Sequence, residues 1–500
     1  MAEPVALSIR PSALRGTRAI PRWAILFVVA ALVRAVTFGN PIVHVDEEFY
    51  FTAARAILRG ATLYSDVWDR KPVGLFLLYM PAAALGVPLG IWAYQAMALA
   101  SVTATAALIA HLAQRAGWAR GALPAGLAYL LWLNLLGGEG GQTPVFYNLL
   151  VASAASLLAP RPDDARSRTG RFRAGCAAMA LVGLALQIKY TVVFEGLFFG
   201  MWWMWRERRF GVSRRNVVLA ALPLMLLTAL PTIAAWGWFA AHGHGDAFRY
   251  ANFESIGARG SDPLERQIGN FVLLLLILSP LIAMTTLAAR LAPTRPGLAR
   301  QRDAAQVMRR WLLVWAIVAG LAVLLFGAYF DHYGLPLLVP LCACSAGFFA
   351  AHRRAAQVTK PLLLLVLLGS QATVLIKRHT RGTPTELGAI TQAIGRGPGC
   401  LFVFSGSSIH YALADRCTPT RYQFSSHLVS QRERPAIGVD QRGELARVLA
   451  QRPAIIVVGP AHFGDREDLR AWFVARVRAT YRETADLPLG NRRVRVYALR

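Results

Sequence analysis

The residues best suited to chemistry lie in one polar stretch, residues 41–72, between two apolar segments. It contains three consecutive acids, Asp46, Glu47 and Glu48, and Lys71 lies close to its end. Transfer of a group from a phosphate to a hydroxyl needs a base that takes the hydroxyl proton and a cation that stabilises the departing phosphate. Because one loop offers both kinds of group, we predict that it forms the catalytic edge of a membrane-embedded transferase.

Asp46 and Glu47 are the predicted catalytic acids, with Asp46 as the base. An acid at a helix start is also favourable for purely structural reasons, by about 0.3–1 kcal/mol. That effect explains one acid well and three in a row poorly. Glu47 is either a partner of Asp46 or a structural acid, and the sequence leaves both open. Glu48 is expected at the surface, paired with arginines.

Five residues are predicted to bind the donor phosphate. Lys71 is the first of them, as a compact cation beside the membrane surface, although a lysine there also snorkels from an interface. Lys189 interrupts a long apolar run. Arg34, near the end of the first apolar segment, reaches the same cavity or snorkels outward. His332 and Tyr333 bind phosphate or sugar, or belong to an aromatic belt at the membrane surface.

No metal and no other cofactor is predicted. His44, Asp46 and Glu47 are close in sequence, and carboxylates with a histidine suit a divalent ion. Their spacing is not a recognised metal signature, so a divalent ion stays an open alternative.

Two of the five cysteines, Cys400 and Cys417, lie in the polar C-terminal part of the chain. If that part is outside the cell, the compartment permits a disulfide, and we predict one between them. Two separate buried thiols are the alternative.

Composition indicates a polytopic membrane protein. Hydrophobic residues make up 55% of the 500, charged residues only 16%, and mean hydropathy is +0.41. An average soluble protein is about 25% charged. The net charge of +27 suggests nucleic-acid binding or arginine-rich inner loops. The arginines cluster in alternate short loops, which is typical of membrane topology, so no nucleic-acid partner is expected.

The predicted fold class is mostly α, a transmembrane bundle of about eleven helices with the N-terminus inside. Interfacial helices are expected in the first outer loop, at 46–58 and 73–87. The predicted crossings are residues 23–38, 91–112, 122–136, 144–158, 174–205 as two short helices meeting near Lys189, 217–240, 271–289, 311–328, 335–351 and 361–376.

Composition changes after residue 376. Residues 1–376 are therefore predicted to form the transmembrane module and residues 377–500 a small extracytoplasmic α/β domain. Its predicted strands and helices are listed in chain order: strand 401–404, helix 443–451, strand 454–458, helix 467–480 and strand 492–497.

The first outer loop carries a series of residues that resembles a known family: Val45-Asp46-Glu47-x-Phe49-Tyr50, Ala53-Ala54-Arg55-x-x-Leu58-x-Gly60, Tyr64-x-Asp66 and Asp69-x-Lys71-Pro72. It is similar to the membrane glycosyltransferases of the C superfamily, in the branch of protein O-mannosyltransferases and the lipid A aminoarabinose transferase. The turn at Lys189, and Asp331-His332-Tyr333 with Pro336, also look like that branch. Val73 stands where the family often has a second proline.

The resemblance covers about the first 350 residues and implies a function. Such enzymes take a sugar, a hexose or a pentose, from a polyprenyl-phosphate carrier and place it on an acceptor at the outer face of the inner (plasma) membrane. The acceptor is a glycan, a lipid or a protein. Asp46 matches the acidic position that the family uses, and the branch can work without a catalytic metal.

Two other classes of protein remain as alternatives. A lipid-linked sugar transporter or flippase should show inverted repeats and polar groups at the membrane midplane. Here the polar groups collect at one face. A structural protein of an envelope assembly would not need the paired acids and bases.

The topology map is tested by labelling cysteines in intact cells. A cysteine introduced within residues 161–173 should be unreactive to an impermeant thiol reagent, because the map places that loop inside. A cysteine introduced near Gly382 should react. The opposite pattern would invert the map.

Overall fold

The structure, a computed structural model, describes residues 20–161, 166–290, 299–325, 327–351 and 353–500. The N-terminal segment that the topology prediction places inside lies largely outside these ranges, through residue 19. The described chain is mostly helical. Its α-helices are α1 (Arg22–Arg34), α2 (Val45–Leu58), α3 (Val73–Ala84), α4 (Leu89–Arg115), α5 (Ala122–Leu135), α6 (Thr143–Leu158), α7 (Arg168–Leu186), α8 (Val193–Arg209), α9 (Arg214–Ala241), α10 (Gly245–Arg249), α11 (Ser255–Ala258), α12 (Leu264–Arg290), α13 (Ala299–Leu325), α14 (Leu338–Ala350), α15 (Arg353–Arg381), α16 (Pro384–Ile394), α17 (Ile409–Ala414), α18 (Ser426–Val429), α19 (Gln441–Ala450) and α20 (Glu467–Thr480).

Five stretches of the described helices are long and apolar enough to cross a membrane: α4, α9, α12, residues Ala304–Leu325 of α13, and Gln357–Ile394, which begins in α15. The shorter apolar helices α3, α5, α6 and α14 accompany them. Helix α4 is largely buried inside the bundle, where it packs against α5, α6 and α14. Helix α9 is the opposite case, since most of its apolar surface is exposed. An exposed apolar helix of this length is what a lipid-facing helix looks like.

The long apolar run at residues 174–205 is broken as expected. Helix α7 ends at Leu186, a 3-10 turn spans Tyr190–Val192, and α8 begins at Val193. Lys189 precedes the turn in an extended conformation. The break takes the lysine out of both helices, so it lies in the connecting turn between two apolar helices.

Helix α2 matches the helix expected at 46–58, but its surroundings differ from the expectation. An interfacial helix would keep one face in water, whereas every residue from Glu47 to Ala54 is buried. Helix α3 covers one side of α2, and α17 from the C-terminal domain packs on another. The sequence showed a polar and an apolar face and gave no sign that a distant domain covers the polar one.

The C-terminal domain contains a mixed four-stranded sheet. Its strands are β1 (Leu401–Phe404), β2 (Ile455–Val458), β3 (Tyr481–Leu489) and β4 (Arg492–Leu499), in the order β1-β2-β4-β3. Strands β1 and β2 are parallel and fully buried, which explains their unbroken apolar sequences. Strand β3, which the sequence analysis missed, is an edge strand with exposed polar residues at 482–484.

Cys400 and Cys417 form a disulfide at the start of β1, with their Cα atoms 4.4 Å apart. The backbone N–H of Leu401 donates to the carbonyl oxygen of Cys417. The bond therefore attaches the segment that follows α17 to the first strand of the sheet.

One carboxylate joins the C-terminal domain to the segments 59–72 and 259–263. Glu433 accepts hydrogen bonds from Arg70, at 2.5 and 3.2 Å, and from Arg259, at 2.7 Å. Burial alone would raise the pKa of Glu433, but the two guanidinium groups lower it to about 2. Arg432 makes a second ion pair with Asp262, at 2.6 Å. These pairs hold the sheet domain against the loops that carry the predicted site.

Replacing Glu433 with Gln should weaken this attachment, because two largely buried guanidinium groups lose their counter-charge. Removal of one partner from a buried ion pair costs about 3 kcal/mol or more. A lowered folded pKa also means that the contribution of Glu433 is complete above its unfolded pKa of 4.5 and is lost as pH falls toward 2. Thermal unfolding of the purified protein measures both effects. The matched control is Asp468→Asn, which removes an exposed partner of Arg466 and should leave the melting temperature unchanged. Equal melting temperatures for the two variants would contradict the assignment.

Candidate functional site

Helix α2 directs its three consecutive acids toward three different surfaces. Successive residues of a helix point about 100° apart, so Asp46, Glu47 and Glu48 cannot share one site. Asp46 lies against Gln142, at the start of α6. Glu47 accepts a hydrogen bond from the backbone of the turn between α5 and α6, and Glu48 accepts one from the C-terminal domain. Only the first acid therefore faces the predicted lysines.

Asp46 is held as a carboxylate. The side chain of Gln142 donates a hydrogen bond of 2.8 Å to its Oδ2, and its backbone N–H donates to Nδ1 of His44 at 3.3 Å. Burial acts to raise the pKa of Asp46, but Lys71 and, more weakly, His44 and His332 hold it well below its ordinary range. The carboxylate is thus ionised at neutral pH, with Lys71 as the positive group that acts on it most strongly.

The two predicted lysines flank this carboxylate. The Lys71 ammonium is 3.9 Å from Oδ1 of Asp69 and 5.5 Å from the ring centroid of Tyr50. The Lys189 ammonium lies 4.8 Å from the ring centroid of Tyr333. Burial and, less strongly, the charge of Lys71 lower the pKa of Lys189 and Asp46 opposes them, so that the pKa is about 7. These effects show that the three charged groups lie near enough to act on one another, as one cluster.

His332 belongs to the same cluster, and contacts on several sides hold its ring. Its Nδ1 lies 3.3 Å from Oδ1 of Asp331, and Phe330 stacks parallel to the imidazole at 5.9 Å. Tyr333 and His44 meet the ring edge-on, at 4.8 and 5.8 Å. If Nδ1 donates to Asp331, Nε2 is the nitrogen left for a ligand.

Four of the five predicted phosphate-binding residues are therefore brought together, and Arg34 is not among them. Its two terminal guanidinium nitrogens donate to the carbonyl oxygens of Gly138 and Gly140, at 2.6 Å each. Glu47 accepts from the N–H of Gly141 in the same turn, and burial raises its pKa to about 8. Arg34 and Glu47 hold the turn that carries Gln142.

The expectation that Glu48 lies at the surface is wrong. Its side chain is buried, the hydroxyl of Ser407 donates to its Oε2, and burial raises its pKa to about 8. One helical turn further along, Thr52 donates to the carbonyl oxygen of Ser408 at 3.2 Å. The arginines of α2 are close in sequence, but the C-terminal domain occupies the space that faces Glu48.

Gln142 and Lys377 were not predicted from the sequence. Gln142 ends the small polar turn between two apolar helices, and a polar turn in such a position could have marked it as a candidate site residue. Lys377, near the end of α15, pairs with buried Glu139 at 2.8 Å and lies 3.9 Å from Oδ2 of Asp331. Nothing in the local sequence links positions 139, 331 and 377, because the contact depends on how three helices end.

Neither of two cavities found on the protein contains this cluster. One, of about 360 Å³, lies among α7, α8 and α9, and the other, of about 470 Å³, lies between residues 65–66 and the C-terminal domain. Within the described ranges, no group of three or more His, Cys, Asp or Glu side chains is arranged to hold a metal ion. The cluster of Asp46, Lys71 and Lys189 is therefore recognised from the effects of its charges on one another and not from a cavity.

Comparison with solved structures gives the fold. The structure of ArnT from Cupriavidus metallidurans bound to undecaprenyl phosphate matches with a TM-score of 0.65 and 15% identity, over 95% of this chain and 98% of that chain. The chain shares the ArnT fold. The oligosaccharyltransferase AglB from Archaeoglobus fulgidus, in complex with an inhibitory peptide and a dolichol-phosphate, matches at 0.53 and 11% identity, over 88% of this chain and 69% of that one.

The ArnT fold is the fold that the resemblance of residues 45–72 implies. No protein-family model matches the sequence, and no curated protein matches it detectably. The likeness is therefore carried by the fold and by the residues of the first loop.

The pKa of Lys189 predicts how use of a phosphate donor depends on pH. Since that pKa is about 7, the ammonium is charged below pH 7 and neutral above it. In the free enzyme, kcat/KM for the donor should fall above pH 7, by about tenfold per pH unit for a single required proton. Lys189→Arg keeps its charge at all these pH values and should lose this decline. An identical alkaline decline in both proteins would show that another group causes it.

Proposed function

We propose that this protein is an integral membrane glycosyltransferase that moves a sugar from a polyprenyl-phosphate carrier to an acceptor at the outer face of the inner membrane. The observation that supports it most is the ionised Asp46 near Lys71 and Lys189 in one cluster of charged groups. The likeness to a structure that holds undecaprenyl phosphate supports the choice of donor. A base and a phosphate site side by side are what this transfer requires.

The proposed reaction is a direct displacement with inversion. The acceptor hydroxyl oxygen forms a bond to the anomeric carbon while the bond from that carbon to the phosphate oxygen breaks. The acceptor proton goes to Asp46, and the electron pair of the broken bond stays on the polyprenyl phosphate. Lys71 and Lys189, with His332 and Tyr333, stabilise the charge that develops on the leaving phosphate.

Binding of the donor would also make Asp46 a better base. In the free protein, the surrounding positive charge holds the pKa of Asp46 far below neutrality, so its affinity for a proton is weak. An anionic phosphate that pairs with Lys71 and Lys189 offsets that charge. The pKa of Asp46 then rises toward its ordinary value at the moment when a proton must be taken. Base strength is in this way coupled to occupancy of the donor site.

The remaining predicted residues have supporting roles in this proposal. Glu47 and Arg34 position the turn that carries Gln142, and Gln142 orients the carboxylate of Asp46. Residues 1–376 form the membrane module and residues 377–500 the extracytoplasmic domain, which lies over the first outer loop. The acceptor, a glycan, a lipid or a protein, would approach between the two.

The test uses purified full-length protein with labelled polyprenyl-phosphate sugars, hexose and pentose, and an envelope extract as the source of acceptors. Asp46→Asn keeps the size and the Gln142 contact but removes the base, so transfer should fall by on the order of 10²–10⁴-fold. The matched control is Asp66→Asn, which changes an exposed acid of the same loop and should retain activity. Donor binding, followed by retention of the lipid on filters, should persist in both variants.

Two results would count against the proposal. Wild-type turnover by the Asp46→Asn protein would remove Asp46 as the base. Movement of the intact lipid-linked sugar across a vesicle membrane, with no sugar transferred, would favour a transporter instead.

A further inference from the structure

A second site lies far from Asp46 along the chain, where α7 begins, α8 ends and α9 begins. These three helix ends enclose the cavity of about 360 Å³, within the roughly 300–1,000 Å³ typical of small-molecule pockets. Its inner wall is apolar and contains Trp203, Val217 and Ala220. Arg168 and Asn216, both exposed, lie at its rim. An apolar interior with a polar, cationic rim suits an amphipathic ligand.

The one acid that lines this cavity is already neutralised. Glu207 accepts hydrogen bonds from Nε and a terminal nitrogen of Arg171, at 2.6 and 3.1 Å, and it is buried. Arg171 also covers the ring of Phe210 at 4.1 Å. The carboxylate therefore adds little negative charge at the rim.

The surrounding segments carry a large surplus of positive charge. Residues 166–173 and 206–216 contain nine arginines and a single acid, Glu207. Among the described residues, no carboxylate forms an ion pair with the six exposed arginines in these segments, which are Arg168, Arg173, Arg208, Arg209, Arg214 and Arg215. Asp163 and Asp164 lie in the same loop but outside the described residues, and counting them still leaves a surplus.

The opening of the cavity adjoins an exposed apolar face of α9. Helix α9, which forms one wall, exposes a row of large apolar side chains directly after its first turn: Val218, Leu219, Leu222, Met225 and Leu226. A molecule in the cavity would thus have its polar end among the arginines and its apolar end along a lipid-facing helix.

We propose that this cavity binds the head group of an anionic phospholipid from the leaflet at the arginine-bearing end of the bundle. The lipid phosphate pairs with Arg168 at the rim, and the glycerol and upper acyl carbons contact Trp203, Val217 and Ala220. Arginines that served only to orient the protein during insertion would need no cavity between helix ends. The site is independent of the proposed transferase activity, and it binds a structural lipid and not the sugar donor.

The experiment is native mass spectrometry of the full-length protein in detergent, with phosphatidylglycerol, phosphatidylcholine or inorganic phosphate added at equal concentrations. Phosphatidylglycerol should bind at least about fivefold more tightly than phosphatidylcholine, the effect of one membrane-surface arginine–lipid contact. Arg168→Gln should remove that preference. Ala220→Phe, which fills the cavity without changing charge, should remove binding of phosphatidylglycerol altogether.

Arg290→Gln is the matched control, since it removes an exposed arginine at the end of α12, away from the cavity, and should change nothing. Equal binding of the two phospholipids would overturn the proposal, as would retention of binding in Ala220→Phe. Displacement of phosphatidylglycerol by an equal concentration of inorganic phosphate would also overturn it, because the site would then recognise free phosphate. If Arg168→Gln does not remain monodisperse, the Ala220→Phe result decides alone.

Discussion

The site depends on one electrostatic constraint: a carboxylate and two ammonium groups lie close together, each only partly exposed to solvent, and their charges act on one another. Taking any of these charges from water is costly, and each pair of opposite charges lowers that cost. Asp46 stays ionised chiefly because Lys71 is near, and Asp46 in turn favours the charged form of Lys189. Asp69, 3.9 Å from Lys71, supplies a second negative charge.

The rest of the fold holds this group in position. Helix α2 fixes Asp46 at its first turn, and the break between α7 and α8 delivers Lys189. The polar turn between α5 and α6 supplies Gln142, and Arg34 holds that turn through two backbone carbonyl groups. Each contributing segment is the end of an apolar helix. The bundle thus brings its few charged side chains together at helix ends and leaves the helix interiors to packing.

Much of this could be predicted from the sequence, for definable reasons. The apolar runs predicted the helices. The lysine inside one of them predicted the break at Lys189, because a charge in the middle of a membrane-spanning helix is costly. The first loop gave Asp46 and Lys71. The features that were not predicted depend on contacts between distant segments. They are the burial of Glu48, the hydrogen bonds of Arg34 to the turn between α5 and α6, and the pairing of Lys377 with Glu139. An edge strand such as β3 escaped because its exposed polar residues do not alternate as a half-buried strand should.

Because the middle of α2 is buried against the C-terminal domain, the helical bundle and that domain cannot be exchanged independently. Ser407 is hydrogen-bonded to Glu48, and Ser408 to Thr52. The C-terminal domain is therefore in contact with the same helix that presents Asp46. A hybrid protein that combined this bundle with the C-terminal domain of another protein would have to preserve the Ser407-Ser408 segment where the domain contacts α2. Without it, the buried carboxyl group of Glu48 would lose the Ser407 hydroxyl within one helical turn of Asp46, whereas the Thr52 hydroxyl would keep its bond to the carbonyl oxygen of Glu48. Exchange of the whole domain is thereby constrained chiefly at Ser407.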